Sequence, residues 1–115
     1  MKTLDAVTAL AALAQETRLS IFRLLVKAGE EGLSAGVIAD KLKLPAATLT
    51  FHIAQLARAG LVQAKPQSRF IYYAANYLAM DDLIAYLTDH CCEGKACLPK
   101  AAAATAAKRR LRKAA

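Results

Sequence analysis

The chain has 115 residues, a formal net charge of +7, three cysteines and no tryptophan. That length supports one small domain with a modest core, and no apolar run approaches the ~20 residues needed to span a bilayer. All three cysteines fall within residues 91–97, which suits a metal-binding or redox-active cluster in a cytosolic protein better than a disulfide framework.

The opening MKTLDAVTALAALAQETR is Ala-rich and apolar, but Asp5 and Glu16 interrupt it and Lys2 is its only base before Arg18. It reads as a helix of a cytoplasmic protein, not as a signal peptide. The helix spans residues 3–14, with Leu4, Val7, Ala11 and Ala14 at helical spacing and Leu10 close by. Thr17 is placed to cap a second helix running to Ala28. In that helix Leu19, Phe22, Leu25 and Val26 are expected to face the core, and Arg18, Arg23 and Lys27 to project outward. Gly29-Glu30-Glu31-Gly32 ends it.

Ser34 can cap a third helix, Ser34 to Leu42, in which Ile38 and Leu42 share a face beside Val37. Lys43-Leu44-Pro45 breaks the pattern, because proline disfavours helix in the residue before it and suits the start of a new helix. The fourth helix runs from Ala46 to Ala59, and Gly60 stands where a helix stop requires positive φ. Leu49, Ile53 and Leu56 form its core stripe. Ala47, Thr48, Phe51, Ala54, Gln55 and Arg58 lie opposite, with Thr50 and His52 on the flanks and no acid anywhere. Small residues for close approach, plus hydroxyl, amide and guanidinium groups, are what a helix in a DNA major groove needs.

After Gly60 the pattern is a β-hairpin, Leu61 to Lys65 and Arg69 to Ala74, turning at Pro66-Gln67-Ser68. Lys65 and Arg69 are expected at its tip, within reach of a phosphate or the minor groove. Asn76 can cap a last helix from Tyr77 to His90. Its Leu78, Leu83, Ile84 and Leu87, like Leu4, Val7 and Leu10 in the first helix, exceed what one small domain can bury. The surplus points to a homodimer, which would also set two reading helices on successive half-sites.

Charge is unevenly spread. Residues 41–80 hold five bases and no acid, and residues 100–115 hold six bases in a low-complexity, Ala-rich stretch. The first is a local footprint for phosphate binding. The second is expected to be a mobile or frayed helical tail that adds solubility or non-specific DNA affinity. The domain is thus expected over residues 1–99, followed by this tail.

His90-Cys91-Cys92-Glu93-Gly94-Lys95-Ala96-Cys97 follows the last helix. Thiolates select soft ions. Three sulfurs suit a three-coordinate trivalent arsenic or antimony centre. With His90 as a fourth ligand, the cluster suits a structural zinc, and cadmium or lead are also soft enough. Lys95 and the basic tail could instead activate a redox-sensing thiol.

The stretch PAATLTFHIAQLARAGLV resembles the recognition-helix signature of the ArsR/SmtB family of bacterial metal-responsive repressors, matching at Thr48, Thr50, His52, Ile53, Leu56, Ala59, Gly60, Leu61 and Val62. LAQETRLSIFRLL resembles the family's second-helix pattern at Arg18, Leu19, Ile21 and Leu24. YLAMDDLIAYLTDHCC is similar to the last helix of arsenite-responsive members that end in a double cysteine. The resemblance implies a mainly α winged helix-turn-helix fold of about five helices with a two-stranded wing. It also implies a dimer built from the first and last helices through Leu4, Val7, Leu10, Ile84 and Leu87. DNA contacts would come from Thr48, Thr50, Phe51, His52, Gln55, Arg58, Lys65 and Arg69. The segment LSAGVIADKL lacks the cysteine pair that other members carry there, so the resemblance leaves Cys91, Cys92 and Cys97 as the inducer site.

The expected function is a cytoplasmic repressor that binds operator double-stranded DNA as a homodimer and lets go when As(III) or Sb(III) binds its thiolates. A DNA-binding regulator with structural zinc or a thiol-redox site, or a non-specific basic DNA-binding protein, are the alternatives. No Gly-rich phosphate loop, carboxylate pair or nucleophile–base set is present to support an enzyme or an organic cofactor.

Overall fold

Local capping decides where most of the helices begin. The computed structural model describes residues 1–94; Cys97 and the basic tail lie outside the described residues. The elements are α1 Thr3–Leu13, α2 Glu16–Ala28, β1 Leu33–Ser34, α3 Ala35–Leu42, α4 Ala46–Arg58, β2 Val62–Gln67, β3 Phe70–Ala75, α5 Tyr77–Thr88 and a 3-10 turn at Cys91–Gly94. Ser34 caps α3, its hydroxyl accepting from the Val37 N–H at 3.4 Å. Asn76 caps α5, its Oδ1 accepting from Ala79 at 3.2 Å, and its Nδ2 donates to the Gly60 carbonyl at 2.9 Å. One side chain therefore starts α5 and ties it to the end of α4. Gly60 stands at φ +78°, as the helix stop requires. The cap of α2 is Gln15, not Thr17: its Oε1 accepts from the Arg18 N–H at 2.8 Å.

Ile21, Leu25, Ile38, Leu49, Leu56 and Leu61 are fully buried and join α2, α3, α4 and the root of β2 into one core. In α2 the buried set is Ile21, Phe22 and Leu25, whereas Leu19 is exposed. Leu19 lies two residues, about 200° of helical turn, from Ile21 and so points away from the core. α1 buries a stripe of alanines, Ala6, Ala9 and Ala12, which lets its backbone lie close to the domain while its larger apolar residues face out. α5 buries Leu83. The Tyr77 hydroxyl donates to the Val26 carbonyl at 2.9 Å, and the hydroxyls of Thr3 and Tyr86 share a hydrogen bond between α1 and α5.

The sheet is antiparallel with order β1-β3-β2: β2 and β3 form the expected two-stranded wing, and β1 adds a third strand to the sheet on the far side of β3. β1 is two residues long and is held by pairing Leu33 with Tyr73 and Ser34 with Tyr72. The hairpin turns at Ser68 and Arg69, with Ser68 at φ +57°, two residues later than the Pro66 signal suggested. Pro66 sits inside β2 opposite Ile71. β2 is an edge strand, where a missing N–H costs no ladder bond if it faces solvent. Lys65 is accordingly mid-strand, opposite Tyr72, and Arg69 occupies the tip.

Gly32 fixes the approach of the α2–β1 loop to the sheet. Its φ is +75°, and a Cβ there would lie 2.3 Å from the Tyr73 carbonyl oxygen. Gly32→Ala is expected to destabilise the domain by roughly 2–4 kcal/mol, combining backbone strain with a clash against a strand that cannot yield. Thermal melting should show a drop of about 10 °C or more, and an unchanged melt would refute the close approach.

Candidate nucleic-acid interface

α4 presents two kinds of surface. Thr48, Thr50 and Phe51 are exposed on its N-terminal half, with Phe51 58% accessible. The Thr50 hydroxyl donates to the Ala46 carbonyl at 2.9 Å, so its hydrogen is used within the helix and its oxygen and methyl remain for a partner. Further along, Gln55 and Arg58 line a groove whose other wall is Val7, Thr8 and Ala11 of α1, with Arg18 of α2 at one end. Residues expected to share one outer face are thus divided between the front of the helix and its α1 side.

His52 is half-buried between these surfaces. Its ring meets Phe51 edge-on, centroids 5.4 Å apart, and its Nδ1 lies 3.4 Å from Arg18 Nη1. Arg18, expected to project outward, is instead half-buried, its Nε donating to the Ala12 carbonyl at 2.6 Å. Helical spacing alone hid this role, because the partners come from two other helices; the only signal was the arginine's place in the second-helix pattern.

In the wing, Lys65 Nζ donates to the Glu30 carbonyl at 2.7 Å, which ties the strand to the α2–β1 loop. Arg69 is exposed at the turn beside Phe70, which is 62% accessible. Lys41, Lys43 and Arg58 are exposed, so part of the basic segment between residues 41 and 80 presents its charge at the surface on and around α4.

The cysteine cluster begins just beyond α5. The helix ends at Thr88, two residues short of the expected His90, and Asp89 caps it with extended backbone; His90 and Cys92 take positive φ, +57° and +53°. The Cys91 and Cys92 sulfurs are 3.8 Å apart, and Cys92 is disulfide-bonded. Cys97, the expected third ligand, lies outside the described residues, and among the described residues no three His, Cys, Asp or Glu side chains converge. His90 Nε2 is 3.5 Å from the Asp89 carboxylate at the surface. Among the described residues no helix is long and apolar enough to cross a membrane.

Comparison with known proteins agrees with this arrangement. A family model described as a helix-turn-helix domain matches residues 13–63, from the end of α1 to the start of β2. The transcriptional activator HlyU of Vibrio cholerae is 32% identical over 82 residues, covering 71% of this chain and 73% of that protein. The solved structure of V. cholerae HlyU superposes with a TM-score of 0.63 at 29% identity, over 81% of this chain and all of the other. An ArsR-like transcriptional regulator from Rhodococcus sp. RHA1 shares the fold with a TM-score of 0.66 at 24% identity, over 96% of this chain and 89% of that one. A capped helix-turn-helix, an acid-free second helix in it and a β-hairpin wing, in a chain this similar to HlyU along most of its length, place it in the ArsR/HlyU family of winged helix-turn-helix transcriptional regulators.

Proposed function

We propose that this regulator is a cytoplasmic, homodimeric repressor that binds operator DNA and releases it when trivalent arsenic or antimony is captured by Cys91, Cys92 and Cys97. The observation that carries the metalloid reading is the pair of adjacent sulfurs, 3.8 Å apart at the foot of α5. Two soft donors at that separation can bind one soft ion, and Cys97, five residues beyond Cys92, is close enough in sequence to supply a third. The exposed apolar residues of α1 and α5 support the dimer. α5 touches α1 through Tyr86 and Thr3 and reaches the end of α4 through Asn76, so a change at its foot has a physical route to the reading head. A ligand moves that equilibrium only by binding the two states with different affinity.

Thiolates must be free of disulfide to hold a metalloid, so the bridge at Cys92 has to be reduced first. The test is a titration of the reduced protein on a duplex selected from a random pool. Arsenite and antimonite should release the DNA at about one ion per chain, with zinc and cadmium weaker. Release by zinc alone, or by nothing, overturns the reading. The disulfide at Cys92 favours one second reading, a thiol–disulfide switch: there a thiol oxidant without metalloid would release the DNA, and arsenite would not.

Reading of DNA is assigned to Thr48, Thr50, Phe51, His52, Gln55 and Arg58 on α4, with Lys65 and Arg69 on the wing. Thr48→Ala or Gln55→Ala should lower binding to the selected duplex about tenfold and leave random-sequence binding nearly unchanged. Removing residues 100–115 should weaken both equally and flatten the salt dependence. Loss of sequence preference on truncation alone would refute the α4 assignment.

A further inference from the structure

Arg18 stands where three helices meet. Its Nε donates to the Ala12 carbonyl at 2.6 Å, in the last turn of α1, where carbonyls have no helical partner. Its Nη1 lies 3.4 Å from Nδ1 of His52 on α4. A guanidinium has donors only, so in this pair Nδ1 must be the acceptor and carries no proton. The neutral ring then holds its proton on Nε2. Among the described residues Nε2 is not hydrogen-bonded, nor is it one of the buried polar atoms left without a partner, so this nitrogen of the half-buried ring keeps some contact with solvent.

We infer that Arg18 is a positioning residue for DNA recognition: it locks His52 as the Nε2–H tautomer and holds the ring so that α4 offers a hydrogen-bond donor at this point. This deepens the assignment of DNA reading to α4 and rests on it. An N–H donor selects an acceptor, either the N7 or O6 edge of a purine or a phosphate oxygen, and rejects the amino groups of cytosine and adenine. The same guanidinium caps α1, so the angle of the ring is referenced to α1 as well as to α4. A lone imidazole on a helix would be free to turn and to exchange tautomers.

The experiment is a double-mutant cycle on the ratio of binding to the selected duplex over random duplex. Arg18→Gln and His52→Ala should each lower that ratio about tenfold, and the double variant should be no worse than His52→Ala alone. Additive losses would show that Arg18 acts independently of His52 and would overturn the inference. Nitrogen NMR of the free protein gives a readout that a merely structural arginine would not move. Wild-type His52 should show an unprotonated Nδ1, and Arg18→Glu, which offers an acceptor, should move the proton to Nδ1. A protonated Nδ1 in the wild type refutes the lock. If Arg18→Gln melts early, Arg18→Lys decides: one ammonium can cap Ala12 but cannot span both partners, so it should keep the fold and lose selectivity, and full selectivity would overturn the inference. Replacing operator purines by 7-deaza analogues separates the two acceptors. The wild type alone should lose affinity at one purine if the acceptor is a base edge, with 7-deaza substitution testing N7 and 2-aminopurine in place of guanine testing O6, and at a methylphosphonate if it is a phosphate; insensitivity to all of these refutes a donor role. If Thr48→Ala and Gln55→Ala also leave the ratio unchanged, the fault lies with the α4 assignment and not with Arg18.

Discussion

Leu87→Glu is expected to leave a folded monomer whose affinity for a two-half-site operator falls at least a hundredfold. Leu87 lies on α5 and is 58% exposed within one chain, so it contributes little to the chain's own core. α1 and α5 together leave much apolar surface in water: Leu4 and Leu78 are each 75% exposed, and Val7, Leu10 and Ile84 are also open. Exposed large apolar residues concentrated on two helices are the surface an association site is expected to use. Burying one leucine stabilises by roughly 1.5–3 kcal/mol. A twofold interface uses every position twice, and a carboxylate placed in it is penalised further for lost hydration. The two substitutions in one dimer should together cost on the order of 5 kcal/mol, more than a thousandfold in dimer dissociation. A monomer then engages one half-site and loses the partner's contribution. Sedimentation at micromolar concentration should show two chains for the wild type and one for the variant, with matching melts at the level of the single domain. A wild-type monomer with intact operator binding would refute the dimer.

How much of this molecule was legible in its sequence depended on whether the signal was local. Ser34, Asn76 and Gly60 announced their roles because a cap or a left-handed stop needs only its own neighbours, and Leu49, Ile53 and Leu56 announced the core face of α4 by spacing alone. β1 was hidden, since two residues carry no pattern and the strand exists only by pairing with β3. Pro66 signals a turn by its fixed φ; its place on an edge strand depends on which strand lies outermost, a property of the assembled sheet. Leu19, expected in the core, is exposed because α2 is apolar on more than one side, so periodicity did not fix which side is covered. Arg18 was missed for the same reason on a larger scale, since its partners Ala12 and His52 are contributed by other helices. The cysteine cluster was plain from composition, but its chemistry depends on redox state, which sequence does not encode.

Cys92→Ser is expected to bind the selected duplex like the wild type and to hold it through an arsenite concentration that empties the wild-type complex. Cys92 lies beyond the helical core, at exposed backbone following α5, so the serine should not disturb folding or the reading head. A hydroxyl is a hard and weak donor where a thiolate is soft, so the exchange removes a ligand while keeping shape. It also removes the disulfide that Cys92 forms, and for that reason the same variant separates the two chemistries. If the switch is metalloid capture, reduced wild type responds to arsenite, Cys92→Ser does not, and a thiol oxidant has no direct effect on DNA release. If the switch is the disulfide, oxidant releases the wild type, Cys92→Ser is blind to it, and arsenite acts on neither. Cys97→Ser should parallel Cys92→Ser in both cases. Cys91→Ser discriminates further: its sulfur, 3.8 Å from that of Cys92, would be a ligand in the first case and a bystander in the second. A shift of the arsenite midpoint by tenfold or more in Cys91→Ser supports three-sulfur capture, because two sulfurs can still hold the ion with a weaker third donor. Full release of Cys97→Ser at the wild-type arsenite concentration would remove the three-thiolate site as the switch. Loss of DNA binding by the metal-free variants would instead assign the cluster a structural role, with zinc holding the foot of α5.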